Sequence, residues 1–138
     1  MSRWVVPAVV VACVVSGCSG DAEAADVEGS LVLTDGTQIG YEGRGAKGEK
    51  CWGKGRFKDL AKDARVVVHD PDGEEAAVGE LTVGRLQGDS ESFFAAPCRF
   101  RFEVPGVPSD ADGTWTVTVG KRDAVEFTPG ETVGIELG

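Results

Sequence analysis

Three observations predict an all-β chain, a small antiparallel β-sandwich of immunoglobulin-like or similar type. Apolar and polar residues alternate over short runs, turn residues separate those runs, and 20 of the 138 residues are glycine. The strongest run is Cys98-Arg99-Phe100-Arg101-Phe102-Glu103-Val104. An extended strand turns Cys98, Phe100, Phe102 and Val104 to one face and Arg99, Arg101 and Glu103 to the other. Trp115-Thr116-Val117-Thr118-Val119 repeats the alternation and is expected beside or opposite that strand. Arg65-Val66-Val67-Val68-His69 and Gly79-Glu80-Leu81-Thr82-Val83 flank Asp70-Pro71-Asp72-Gly73. Proline presets one turn angle there and glycine accepts a positive one, which predicts a hairpin. Residues 30–34, 124–128 and 132–137 are shorter strand candidates, punctuated by Asp35-Gly36 and Pro129-Gly130. Phe57, Leu60, Ala61 and Ala64 fall at helical spacing, but the run is short and follows Gly53 and Gly55. It predicts at most a turn or two of helix, plugging one end of the core.

The amino-terminal residues have the order of an export signal: Arg3, an apolar run over residues 4–15, then small residues. The apolar run is shorter than the roughly 20 residues that a membrane-spanning helix needs. Val15-Ser16-Gly17-Cys18 resembles a bacterial lipobox, in which the cysteine thiol takes a lipid and the signal is cut just before it. Small side chains ahead of Cys18 leave room for the processing enzymes, and several acyl chains together give stable anchoring. Ala22-Glu23-Ala24 offers an ordinary signal peptidase another cut, which would discard Cys18 and release a secreted protein. That triplet lies far from the apolar run, so the lipoprotein route is the expected one. The organisation predicted is a signal peptide over residues 1–17, an acidic flexible tether over 18–29 and one β domain over 30–138.

Of 138 residues, losing 17 leaves 121, and losing Arg3 takes the formal charge from −9 to −10. An acidic surface argues against nucleic acid and against unaided binding to anionic lipid. With Cys13 in the signal and Cys18 acylated, Cys51 and Cys98 remain as an even pair in an oxidising compartment. A disulfide between them is expected. Two isolated cysteines and one histidine do not build a zinc site, and no cofactor or metal is predicted.

From Cys51 to about Phe127 the chain resembles a group of small actinobacterial exported proteins and lipoproteins of unknown function. The residues that carry the resemblance are Cys51-Trp52-Gly53-Lys54-Gly55, Asp59-Leu60, Val66-Val67-Val68-His69-Asp70, Gly73, Gly79-Glu80-Leu81, the Cys98 to Val104 run, Val107-Pro108, Trp115 to Val119 and Arg122. The resemblance supplies no catalytic residues. This chain departs from the group's pattern in having tryptophan at Trp115, where tyrosine is common, and in a long insert over residues 87–96 that contains Phe93 and Phe94.

The motifs that could carry chemistry are weak. Gly43-Arg44-Gly45-Ala46-Lys47-Gly48 matches a dinucleotide fingerprint, but Glu49-Lys50-Cys51 opens no helix to receive a phosphate. Asp70-x-Asp72-Gly73 and Asp110-x-Asp112-Gly113 begin like calcium loops and lack the later ligands. His69 stands beside Asp70, yet neighbours on a strand point to opposite faces, and no serine sits in a nucleophile elbow. The basic residues are uneven: Arg44, Lys47, Lys50, Lys54, Arg56, Lys58, Lys62 and Arg65 are eight of the 14. Trp52, Lys54, Arg56 and Lys58, with Phe93 and Phe94, are therefore the candidate interaction surface, for an anionic envelope polymer or a protein partner. The expected function is a membrane-anchored, non-enzymatic surface module. A secreted calcium- or carbohydrate-binding domain and a small hydrolase are the alternatives.

Overall fold

The structure, a computed structural model, describes residues 24–108 and 112–138. The signal, Cys18, Ser109 and Asp110 lie outside the described residues. The fold is all-β, with strands β1 (Ala24–Leu33), β2 (Ile39–Tyr41), β3 (Lys50–Gly53), β4 (Arg65–His69), β5 (Glu75–Leu81), β6 (Gly84–Leu86), β7 (Cys98–Pro108), β8 (Trp115–Val119), β9 (Val125–Phe127) and β10 (Val133–Leu137). Two 3-10 turns, Gly36–Gln38 and Gly55–Phe57, are the helical elements among the described residues.

β7 organises the sheet. One of its edges pairs along its length with β1, from Leu33 opposite Cys98 to Ala24 opposite Pro108. Its other edge is shared: Cys98 and Arg99 pair with β6, and Phe102 and Glu103 pair with β5. Two arms therefore leave β7, one through β6, β3 and β2, the other through β5, β4, β8 and β9. β10 adds to the far edge of β1 in parallel, and the other pairings are antiparallel. The β8–β9 edge curls round toward β10, since Leu31, Val119, Val125 and Ile135 line one groove between them.

Alternation in the β7 run does what the sequence predicts. Cys98, Phe100, Phe102 and Val104 are buried, as are Val66 and Val68 of β4, Val117 and Val119 of β8, and Leu31 and Leu33 of β1. Burying each such aliphatic or aromatic side chain contributes about 1.5–3 kcal/mol. Phe57 and Leu60 are buried against this core, so the segment after β3 plugs it as expected, through a 3-10 turn rather than α-helix.

Several expectations are corrected. β8 does not pair with β7: β5 and β4 lie between them in the strand order. β1 begins at Ala24, so residues 24–29 belong to the sheet and not to the tether. Val27 is buried while Asp26 and Glu28 point outward, which is the strand period hidden among acidic residues. β5 begins at Glu75, because pairing with β4 extends a hairpin over alanines with little strand preference of their own. β2, β3 and β6 carry too few residues to show a period in the sequence.

Candidate functional site

The two ends of β1 define two ends of the molecule. Ala24 lies with Pro108, and the β4–β5 turn lies at the same end of the sheet, where Pro71 packs against Gly113. At the other end of this ten-residue strand, a span of roughly 30 Å, Leu33 lies with Cys98 and leads into the first 3-10 turn.

At the Cys98 end, Cys51 of β3 and Cys98 of β7 form the expected disulfide, with Cα atoms 5.9 Å apart and a sequence separation of 47. It clamps the short β2–β3–β6 arm to the long central strand. Beyond it project the insert and the glycine-rich loop. In the insert, Glu91 and Phe94 exchange backbone hydrogen bonds, and Ser92 turns through a positive φ of 26°. Its base is closed by Gln87 N–H donating to Pro97, by Ala96 N–H donating to Ser90 Oγ, and by Ala95 N–H donating to Gly36 O. Phe93 and Phe94 therefore stand on a pinned turn, 89% and 61% exposed.

The basic segment meets the 3-10 turn after β1, to which the insert is also bonded. Arg56 N–H donates to Gln38 Oε1, and the Arg56 guanidinium reaches Asp35 at 3.1 Å. Gly36 thus touches the aromatic insert while its neighbours hold Arg56, so the structure brings together two features far apart in sequence. Asp35 is held below the ordinary carboxylate range, first by the Thr37 hydroxyl and Thr37 N–H and then by Arg56. Arg56 also stacks on Phe57 at 4.8 Å, with Arg122 at 4.6 Å from the same ring centroid. Arg122 in turn pairs with Asp59 and donates to Arg56 O. Lys54, Arg56 and Lys58 are all exposed, and of the three Arg56 is ion-paired within its own chain. Trp52 pairs across the ladder with Gly40, where a Cβ would fall 2.2 Å from the indole nitrogen. Glycine lets the ring approach β2, and 38% of Trp52 stays exposed.

No protein-family model matches this chain, and no curated protein or solved structure matches it.

The remaining motifs serve the fold. Gly43, Gly45 and Gly48 all have positive φ, and Gly45 N–H donates to Glu49 Oε2 and Lys47 N–H to Asp89 Oδ1. Carboxylates of the chain itself occupy the donors that a phosphate would need, and β3 rather than a helix follows. Asp70 Oδ1 accepts from the N–H groups of Asp72 and Glu74, which ties that carboxylate to the hairpin turn. Among the described residues no three His, Cys, Asp or Glu side chains gather as metal ligands. His69 lies opposite Thr116 and Glu75, and no hydrogen bond among the described residues joins it to a serine.

One cluster escaped the sequence reading. Arg85 of β6 lies directly opposite Arg99 of β7, with Arg101 two residues along the same face. The alternation placed Arg99 and Arg101 together, but only strand pairing brings Arg85 to them. Farther along this face, Glu103 meets Asp26 and Glu28, and its carboxyl is pushed above the ordinary range by the Asp26 hydrogen bond, then by Asp26 charge, burial and Glu28.

Proposed function

We propose that this protein is an exported, non-enzymatic interaction module, anchored to the cell membrane by lipid on Cys18 and docking partners through its aromatic tip. The observation that carries the reading is the exposure of Phe93 and Phe94 on a turn pinned at its base. Two adjacent exposed phenylalanines oppose folding preferences unless a surface covers them, and a preordered turn loses little freedom on binding. The tip lies at the far end of β1 from the chain's entry, so an anchor at Cys18 would hold it away from the bilayer. Lys54 and Lys58 favour a partner that carries acidic groups around an apolar pocket. The lipobox and the resemblance to small actinobacterial lipoproteins support the location.

The test is detergent partition of the full chain together with in-envelope crosslinking. Wild type should enter the detergent phase and crosslink; Cys18→Ala should stay aqueous, and Phe93→Ser/Phe94→Ser should lose the crosslink while remaining folded. An unchanged crosslink in the double variant would overturn the docking surface.

Trp52 favours a second reading, a secreted carbohydrate-binding domain, because its ring lies along β2 with one side open. Under that reading Trp52→Ala would abolish retention on a polysaccharide column and the Phe93 and Phe94 changes would not.

A further inference from the structure

We propose that Arg85, Arg99 and Arg101 form a binding site for a tetrahedral oxyanion of the phosphate class on the outer face of β6 and β7. The ladder sets Arg85 opposite Arg99, and like charges directly opposite destabilise a sheet unless an anion lies between them. Among the described residues no carboxylate forms an ion pair with either arginine. The ion pairs among the described residues belong to Arg56, Arg65 and Arg122.

Two further observations point to a missing acceptor. Arg99 Nε is buried with no hydrogen-bond partner, a costly state for a charged donor. Next to it lies a concavity of about 310 Å³ lined by Thr82, Arg85, Gln87, Arg99 and Arg101. Arg85 is held in place by donating to Gly48 O at 3.2 Å, which leaves its other N–H groups for a ligand. Thr82 Oγ1 accepts from Arg101 N–H at 3.2 Å, so its own hydroxyl proton is available to donate. Planar guanidiniums present paired N–H groups that match the oxygens of a phosphate.

The source of the oxyanion follows from position, and this step rests on the anchored reading above. Arg99 pairs with Val32, roughly 25 Å along β1 from Ala24, which keeps the site off the headgroups of the anchoring membrane. Glu28 and Glu103 border the same face on the anchor side and repel an anionic surface there. The ligand is therefore soluble phosphate or a soluble phosphate ester.

The test is calorimetric titration of the full chain with inorganic phosphate, with sodium chloride holding ionic strength constant. Saturable binding is expected, weakened roughly tenfold or more by Arg99→Gln or Arg101→Gln and unchanged by Arg56→Gln. In phosphate-free buffer Arg99→Gln should melt no lower than wild type, because it relieves repulsion from Arg85. Should Arg99→Gln fail to fold, Arg101→Gln carries the test, since its side chain is exposed. Phosphate behaving as chloride does, or binding that survives both changes, would overturn the site. Arginine-dependent binding to phosphatidylglycerol vesicles in place of inorganic phosphate would overturn the soluble source. Phosphate binding by Cys18→Ala separates this site from the anchor, which fails or stands on detergent partition alone.

Discussion

At the two ends of β1 the same strand meets opposite electrostatics. Near Leu33, Asp35 sits under the Thr37 hydroxyl and beside Arg56, and its charged form is favoured. Near Ala24, Asp26, Glu28 and Glu103 crowd together, and the charged form of Glu103 is disfavoured. The Cys98 end is also where long connections need support, from a disulfide, a stacked arginine pair and an insert closed by backbone hydrogen bonds. Among the described residues the chain-entry end carries a hairpin turn tied by Asp70, with Pro71 packed on Gly113. The difference teaches where this small domain places its cross-links: the disulfide and the hydrogen-bonded insert lie at the end that exposes Phe93 and Phe94.

The largest effect that would sharpen this contrast is loss of the disulfide. Cys51→Ala/Cys98→Ala should cost about 4 kcal/mol in the chain-entropy model, read as a fall in the urea midpoint with little change at the chain-entry end. Hydrogen exchange should show the β2–β3–β6 arm opening first; uniform exposure of both ends would break the comparison. Removing the plug comes next. Leu60→Ala should cost about 2–5 kcal/mol, because a fully buried leucine leaves a cavity between Phe57 and the core.

By contrast, Phe93→Ser/Phe94→Ser should change stability by no more than about 0.5 kcal/mol, since neither ring is buried. A large loss would mean that the tip holds the fold together and is not a free surface. The smallest effects are the two titrations. Asp35, with its folded pKa depressed, contributes stability above its unfolded pKa that is lost as pH falls through the lower folded value. Glu103, with its folded pKa raised, contributes stability below its unfolded pKa that is lost as pH rises through the higher folded value. Carboxyl NMR titrations should place the two midpoints on opposite sides of the ordinary values, and Asp26→Asn should bring Glu103 back toward its own.

Much of this architecture was legible because strand alternation is a local property. The face of β7 that carries Phe100 and the boundaries of β4 and β8 follow from a period of two that any reader of the chain can count. The disulfide followed from cysteine arithmetic, and the plug from Phe57 and Leu60. The aromatic insert was visible as an oddity, though its pinning to Gly36 was not. The first residues of β1 are not legible in the sequence because acidic outward residues disguise Val27, and β2 and β6 are not because three residues hold no period.

What the sequence by itself determined is thus the strand character of most segments, the pairing of Cys51 with Cys98 and the outward face shared by Arg99 and Arg101. Only the tertiary structure decided that β8 pairs with β4, that Asp35 and Gly36 join the basic segment to the insert, and that Arg85 completes an arginine cluster. The physical reason is that side-chain direction within a strand is set by its own backbone, whereas the choice of neighbouring strand depends on contacts between residues far apart in the chain.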